Sequence, residues 1–136
     1  MKNEEKDLLP RTKMFARRII RLYCSLSKAD TVAQVLGKQV LRSGTPVGAN
    51  YREANRARSK AEFISKTGDC LKEADETLYW LELLLDENIV PEKKLGALAS
   101  ESSELVAIFI TILKKAPGPR MSRFFILHSS FFISPR

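Results

Sequence analysis

Ser59-Lys60-Ala61-Glu62-Phe63-Ile64-Ser65-Lys66-Thr67-Gly68-Asp69-Cys70-Leu71-Lys72-Glu73-Ala74-Asp75-Glu76-Thr77-Leu78-Tyr79-Trp80-Leu81-Glu82-Leu83-Leu84-Leu85 is the stretch on which the fold turns. Phe63, Thr67, Leu71, Ala74, Leu78, Leu81 and Leu85 recur at steps of three and four, the period of a helix with one face on a core. Ser59 and Glu62 have the spacing of a capping box, in which each side chain satisfies an amide that the first turn leaves free. Glu62, Asp69, Glu73 and Glu76 form an acidic stripe beside the apolar one. From Tyr79 to Leu85 the pattern changes and the helix is apolar nearly all round. A turn of that kind has to be covered on every side.

Three further helical segments flank this one. After Asn88–Val90, Pro91 suits a first helical turn, where its missing N–H is no loss. Leu95, Leu98, Leu105, Phe109 and Ile112 face one way, and Val106, Ile110 and Leu113 another. Lys114 and Lys115 close the segment against the helix dipole, and Pro117-Gly118-Pro119 ends it. Upstream, a segment from Asp30 to Arg56 has Asp30 as N-cap and Val32, Val35, Leu36, Val40, Val47 and Tyr51 as its apolar side. Pro46, between Gly44 and Gly48, is expected to kink or split it. The first segment, from Thr12 to Ser27, buries Phe15, Ile19, Leu22 and Leu26 and turns Lys13, Arg17 and Arg21 outward. Short connections force neighbours antiparallel. The expected fold is therefore all-α, an up-down-up-down four-helix bundle over residues 12–115. An N-terminal extension (1–11) and an irregular tail (116–136) complete the expected organisation.

With 136 residues the chain is one domain, long enough to bury a core without disulfides or a structural metal. Cys24 and Cys70 are expected to be free thiols. A single histidine, His128, and no Cys-x-x-Cys argue against a metal site or a Ser/His/Asp triad. The six scattered glycines make no phosphate loop. No metal, cofactor or catalytic residue is expected, and the chain is not read as an enzyme. The mixed-charge N-terminus lacks the apolar core of a secretion signal, and the longest good apolar run, Leu105 to Leu113, is far short of a span. The expected location is the cytoplasm, away from any membrane. The tail is basic and aromatic (Phe124-Phe125-Ile126-Leu127, then Phe131-Phe132-Ile133). That composition suits a membrane surface, but without a helical moment it is expected to be an irregular extension.

Charge is unevenly spread. Residues 1–60 carry 14 Lys and Arg against 5 Asp and Glu; residues 61–115 carry 6 against 11; residues 116–136 carry 3 against none. Such asymmetry suits a polyanionic partner for the basic half. Lys13, Arg17 and Arg21 on the first segment, with Lys38, Arg42, Arg52 and Arg56 on the second, are the candidate nucleic-acid-binding residues. Without aromatic rings between them, they favour contact with phosphates irrespective of sequence.

A single bundle has one core, so the all-round apolar parts of the last two segments leave a surplus. Tyr79, Trp80, Leu83, Leu84, Val106, Ile110 and Leu113 are the candidate interface between identical copies.

The stretch Gln39-Val40-Leu41-Arg42-Ser43-Gly44-Thr45-Pro46-Val47-Gly48-Ala49-Asn50-Tyr51-Arg52-Glu53-Ala54 resembles the signature of the bacterial family encoded in intervening sequences of large-subunit ribosomal RNA genes. Ser59 to Phe63 and the run from Leu71 to Leu84 resemble its third helix. The resemblance covers about residues 12 to 115. It implies a four-helix bundle that assembles as a ring of five. It also implies kinship with accessory proteins of diversity-generating retroelements, which work with a reverse transcriptase and nucleic acid through a basic bundle surface. Pro46 stands where the family often has serine, and the tail lies outside its pattern. Within the motif, Asn50 and Glu53 read either as ligand contacts or as structural groups. In the structural reading Asn50 serves backbone freed at Pro46 and Glu53 pairs with a nearby arginine. Arg42, flanked by Ser43, is expected to pair with Glu73 or Glu76. Two functions remain in view: an oligomeric protein that binds nucleic acid, RNA above all, through its basic helices, and a protein–protein adaptor that binds none.

Overall fold

The periodicities quoted above become helices in a computed structural model, which describes residues 2–116, with side chains from residue 8 onward. Its elements are α1 (Lys2–Ser25), α2 (Thr31–Gly44), α3 (Pro46–Asn55), α4 (Lys60–Asp86) and α5 (Glu92–Lys115). There is no strand among the described residues. The tail from residue 117 on lies outside them, and with it His128 and the expectation of an irregular extension.

The expected 30–56 segment is divided at Pro46 into α2 and α3. Proline has no N–H to give to the preceding turn, so the hydrogen-bond ladder is interrupted there. The backbone nonetheless stays helical at Thr45 (φ −71°, ψ −36°), whose N–H and Oγ1 both donate to the Leu41 carbonyl at 3.3 and 2.8 Å. α2 and α3 are thus one rod with a gap in its ladder. The caps are as read: Asp30 accepts from the Ala33 amide at 3.0 Å, and Ser59 from the Glu62 amide at 3.0 Å. Glu62 accepts in return from the Arg58 amide at 3.3 Å, one residue earlier than an ideal box.

Four rods make the bundle. α1 packs on the α2–α3 rod and on α5, and α4 packs on the same two, so α1 and α4 occupy one diagonal. Each rod neighbours the next in sequence and the last closes on the first, the arrangement expected for up-down-up-down topology. The core contains Phe15 and Ile19 from α1, Val40, Val47 and Tyr51 from the second rod, Leu81 and Leu84 from α4, and Leu95, Leu105 and Phe109 from α5. Across the other diagonal the Tyr51 and Phe109 rings lie 6.1 Å apart, tilted by 42°. Two sets of buried hydroxyls tie helices together, whereas Thr67 Oγ1 is buried without a hydrogen-bond partner among the described residues. Ser43 Oγ donates to the Gln39 carbonyl at 2.8 Å and sits 2.8 Å from Thr77 Oγ1, and Ser102 Oγ donates to the Ala74 carbonyl at 3.0 Å.

The first helix differs from expectation. It does not start at Thr12 after Pro10 but continues back to Lys2, with Pro10 inside it. Tertiary contacts override the proline. Leu8 is wholly buried, and Arg11 clamps α5: its Nε and Nη2 each lie 2.8 Å from the Glu101 carboxylate, and Nη2 lies 3.1 Å from Glu104. The glutamates hold the Arg11 guanidinium still more firmly in its charged form.

Among the described residues α5 alone is long and apolar enough to cross a membrane by length and composition. Leu95, Leu98, Leu105, Phe109 and Ile112 line the bundle core, and a helix that supplies a bundle core has this same apolar character.

Candidate nucleic-acid interface

Three glycines let α1 approach the second rod closely. A Cβ built on Gly37 would run into Leu26 Cδ1, one on Gly44 would lie 2.7 Å from Ile19 Cγ1, and one on Gly48 3.2 Å from the Thr12 carbonyl. These pairs also fix the antiparallel register: Gly48 is level with Thr12, Gly44 with Ile19, and Gly37 with Tyr23 and Leu26. Between the rods, on the outer side of this seam, runs a groove of about 190 Å³ lined by Leu9, Lys13, Ala16, Thr45, Gly48, Ala49 and Arg52. Its floor is small and apolar. One cation stands on each lip, Lys13 on α1 and Arg52 on α3.

The remaining predicted cations divide around this groove. Arg17, Arg21, Lys38 and Arg56 are exposed, and none forms an ion pair with a described residue. At ~100° per residue, Arg17 lies on the outer ridge of α1, next to the groove, and Arg56 is the C-cap of α3, in line with that helix's outer ridge. Arg21 turns further round α1, and Lys38 sits toward the opposite end of the second rod. Arg42 leaves the set. It faces α4, where its guanidinium pairs with Glu76 and its Nε donates to Gln39 Oε1 at 2.9 Å. Of the two acids foreseen for it, Glu76 is the partner. Trp80 Nε1 donates to the same carboxylate at 3.1 Å. Burial, then repulsion from Glu76, raises the carboxyl of Glu73 above the usual carboxylate range.

The other motif residues are structural in their contacts. Ser43 is buried in the α2–α4 hydroxyl pair described above. Glu53 pairs with Lys66 of α4 at 2.9 Å and not with an arginine; the register puts a lysine opposite it. That carboxylate raises the Lys66 ammonium. Asn50 is half-buried, and among the described residues it makes no side-chain hydrogen bond to the backbone at Pro46.

The seven candidate interface residues are not one surface. Leu84 is fully buried in the core, with Val106 and Leu113 nearly so. All three pack inside the bundle, because α4 and α5 cover each other where both are apolar all round. Ile110 lies on the α4–α5 side, more than two turns along the bundle from Tyr79. Tyr79, Trp80 and Leu83 remain together on the outer side of α4, with the Tyr79 and Trp80 rings edge-to-face at 5.1 Å. Two residues that the periodicity assigned to the core are exposed instead: Val32 and Val35 of α2 are 53% and 55% exposed, as Tyr79 is at 54%.

What sequence reasoning missed is the groove floor. Its signal was present: Thr45, Gly48, Ala49 and Arg52 fall at i, i+3, i+4 and i+7, and Leu9, Lys13 and Ala16 at i, i+4 and i+7, each set one helix face. Among the described residues no group of acids, cysteines and histidine is placed to hold a metal. Cys70 is buried and its thiol is pushed up to about 12, so it stays protonated at neutral pH, whereas Cys24 is exposed.

Similarity to known proteins matches this architecture. The model of the 23S rRNA-intervening sequence protein family matches residues 4–111. A crystal structure of a protein of unknown function from Bacteroides thetaiotaomicron, assigned to the S23 ribosomal protein family, is 40% identical. It superposes with a TM-score of 0.74 over 81% of this chain and 97% of that one. No curated protein matches. Neither description names an enzyme. A family match over most of the chain and a close solved relative of the same helical fold lead to one conclusion: this chain belongs to the 23S rRNA-intervening sequence protein family.

Proposed function

We propose that the protein is a non-enzymatic, oligomeric nucleic-acid-binding protein that holds RNA by its phosphates along the outer wall of α1 and the α2–α3 rod. The observation that carries this reading is the groove between α1 and α3, with Lys13 and Arg52 facing each other across a floor of small residues and no described acid neutralising them. Exposed, unpaired Lys and Arg attract a polyanion through counterion release, which is independent of sequence and weakens as salt rises.

Self-association is proposed through the apolar face of Tyr79, Trp80 and Leu83 with Val32 and Val35. What supports it is that Val32, Val35 and Tyr79 are each more than half exposed, on the side of the second rod that meets α4 and away from the groove. A second copy would thus leave the cationic wall open, and repeated walls on a ring of five would add their fields.

The test is fluorescence anisotropy of a labelled RNA of arbitrary sequence, titrated with protein across a range of salt, with light scattering on the same samples. Binding is expected to weaken steeply with salt and to be abolished in the Arg17→Glu/Arg52→Glu double variant, while fold and oligomer persist. Unchanged binding by that variant removes the wall as the site. Assembly without RNA affinity at physiological salt replaces this reading with the adaptor.

A further inference from the structure

Building on the wall as a polyanion site, we propose that five of its cations form one diagonal track for an extended single strand of nucleic acid. In order they are Arg56, Arg52, Lys13, Arg17 and Arg21, one phosphate to each.

The order follows from the register. Gly48 lies against Thr12 and Gly44 against Ile19, so Arg52, one turn beyond Gly48, is level with Leu9, and both line the groove with Lys13. Taken along the bundle axis, each of the five cations follows the last by about four residues of helix. That is ~6 Å per step and ~24 Å in all. Around the axes the steps run one way. Arg56 is the C-cap of α3, in line with its outer ridge, and Arg52, four residues earlier, turns ~40° toward the groove. Lys13 is on the opposite lip, Arg17 turns ~40° out onto the ridge of α1, and Arg21 turns as far again. Axial and lateral progress are therefore coupled, which makes a path and not a patch. All five side chains are exposed and none is engaged by a described acid. Two other cations of the same rod are off this path: Lys38, toward the other end on the ridge of α2, and Arg42, turned to α4 and held by Glu76.

Single-file cations with this step suit a drawn-out strand, in which successive phosphates are similarly spaced. A duplex presents one charge per ~1.7 Å of a stiff axis, split between two strands, and meets a convex two-helix wall over few of them. The groove floor holds no aromatic ring for bases to stack on, so the bases face solvent and sequence goes unread.

The experiment uses the full chain, a labelled twelve-nucleotide oligouridylate and an RNA duplex of twelve base pairs, with anisotropy read at several salt concentrations. The single strand is expected to bind more tightly, with a log–log salt slope near −3.5, since each phosphate neutralised on a single strand contributes about −0.7. Lys13→Glu and Arg52→Glu are each expected to weaken binding by roughly tenfold or more, and Lys38→Glu, an identical change of charge, by less than about threefold. Lys13→Gln and Arg52→Gln, which add no negative charge, each lower the slope by about 0.7. Equal losses from Lys38→Glu and Arg52→Glu, or tighter duplex binding, overturn the track while nucleic-acid binding stands. If neither probe binds at low salt, the track and the proposed function fall together.

Discussion

Gly44→Ala and Gly68→Ala test whether α1 is held against the second rod by its glycines. Both residues are inside helices with ordinary negative φ, so alanine at either gains up to ~1 kcal/mol of helix propensity. At Gly68 nothing lies within 4 Å of the new methyl group, and the gain stands alone. At Gly44 the methyl would be 2.7 Å from Ile19 Cγ1 and 3.1 Å from both Cδ1 and Cγ2. Ile19 is wholly buried and the nearest atom is at the root of its branch, so a rotamer change offers no escape. Either Ile19 leaves its rotamer or α1 backs away, at a cost of about 1–3 kcal/mol. The expected outcome is a stabilised Gly68→Ala and a Gly44→Ala between neutral and ~2 kcal/mol destabilised, the two separated by the steric cost alone. Urea unfolding followed by circular dichroism at one fixed protein concentration reads this directly. A separation of ~2 kcal/mol moves the midpoints apart by about 1 M at an m-value near 2 kcal/mol/M. A double variant with Ile19→Ala locates the clash, because the new methyl then fills part of the cavity and the coupling turns favourable by about 1 kcal/mol or more. Equal stabilisation by both glycine substitutions would mean that α1 does not press on Gly44, and the register used for the cationic wall would lose its basis.

Removal of the Arg11 clamp by Arg11→Ala is expected to cost about 1–2 kcal/mol, since its hydrogen bonds to Glu101 are charged and half-buried; hydrogen exchange should show the first turns of α1 opening, and unchanged protection there would contradict the clamp. Cys24 should react with a soluble thiol reagent in the native protein and Cys70 only after unfolding, because burial keeps the Cys70 thiol protonated until about 12; two thiols titrating at pH 8 without denaturant would contradict its burial. Glu73 has its carboxyl raised, so the fold prefers the protonated form and loses stability as pH rises through that raised value. Glu73→Gln should therefore stabilise the protein at pH 7 and have little effect below the ordinary carboxylate range; a loss at pH 7 would assign Glu73 a favourable charge interaction instead. Phe109→Ala should cost about 3–5 kcal/mol through the cavity left beside Tyr51, and a milder loss in urea unfolding would show that the two diagonal rods collapse onto each other.

The helices were legible because each wears its period openly. Phe63 to Leu85 marks α4, and Ser59 and Asp30 mark helix starts through oxygen atoms that accept from the first free amides. Less legible was anything that depends on how closely two helices approach. Hydropathy assigned Val32 and Val35 to the core, with Leu36 and Val40, because they are large apolar residues of α2. The side that faces inward is in fact Ala33, Gly37, Val40 and Gly44, since α1 comes too near for bulk. The start of α1 was hidden for a related reason. Pro10 reads locally as a boundary, and only the burial of Leu8 and the reach of Arg11 to α5 extend the helix past it. Among the site residues, exposure could be read from periodicity for Lys13, Arg17, Arg21, Lys38, Arg52 and Arg56. The loss of Arg42 to Glu76 needed the register between α2 and α4.

The central motif acquires a physical role in this light. Gly44-Thr45-Pro46-Val47-Gly48-Ala49 contains no group that reaches out to a ligand. Its two glycines remove the side chains that would separate α1 from the second rod, and its Thr45, Gly48 and Ala49 make the low floor between them. Helices at the upper end of the usual 8–10 Å separation, with larger residues in the seam, would carry Lys13 and Arg52 on walls that face apart. Drawn together over small residues, the two line a common groove, which is what the proposed phosphate path requires. The motif that brings α1 close to the second rod thus supplies the geometry of the wall, and the charge comes from the turns beside it, at Lys13 and Arg17 on α1 and at Arg52 and the C-cap Arg56 on the other rod. On the proposed reading, cations placed on these rods without the glycine seam would give the same net charge and a much weaker hold on a polyanion.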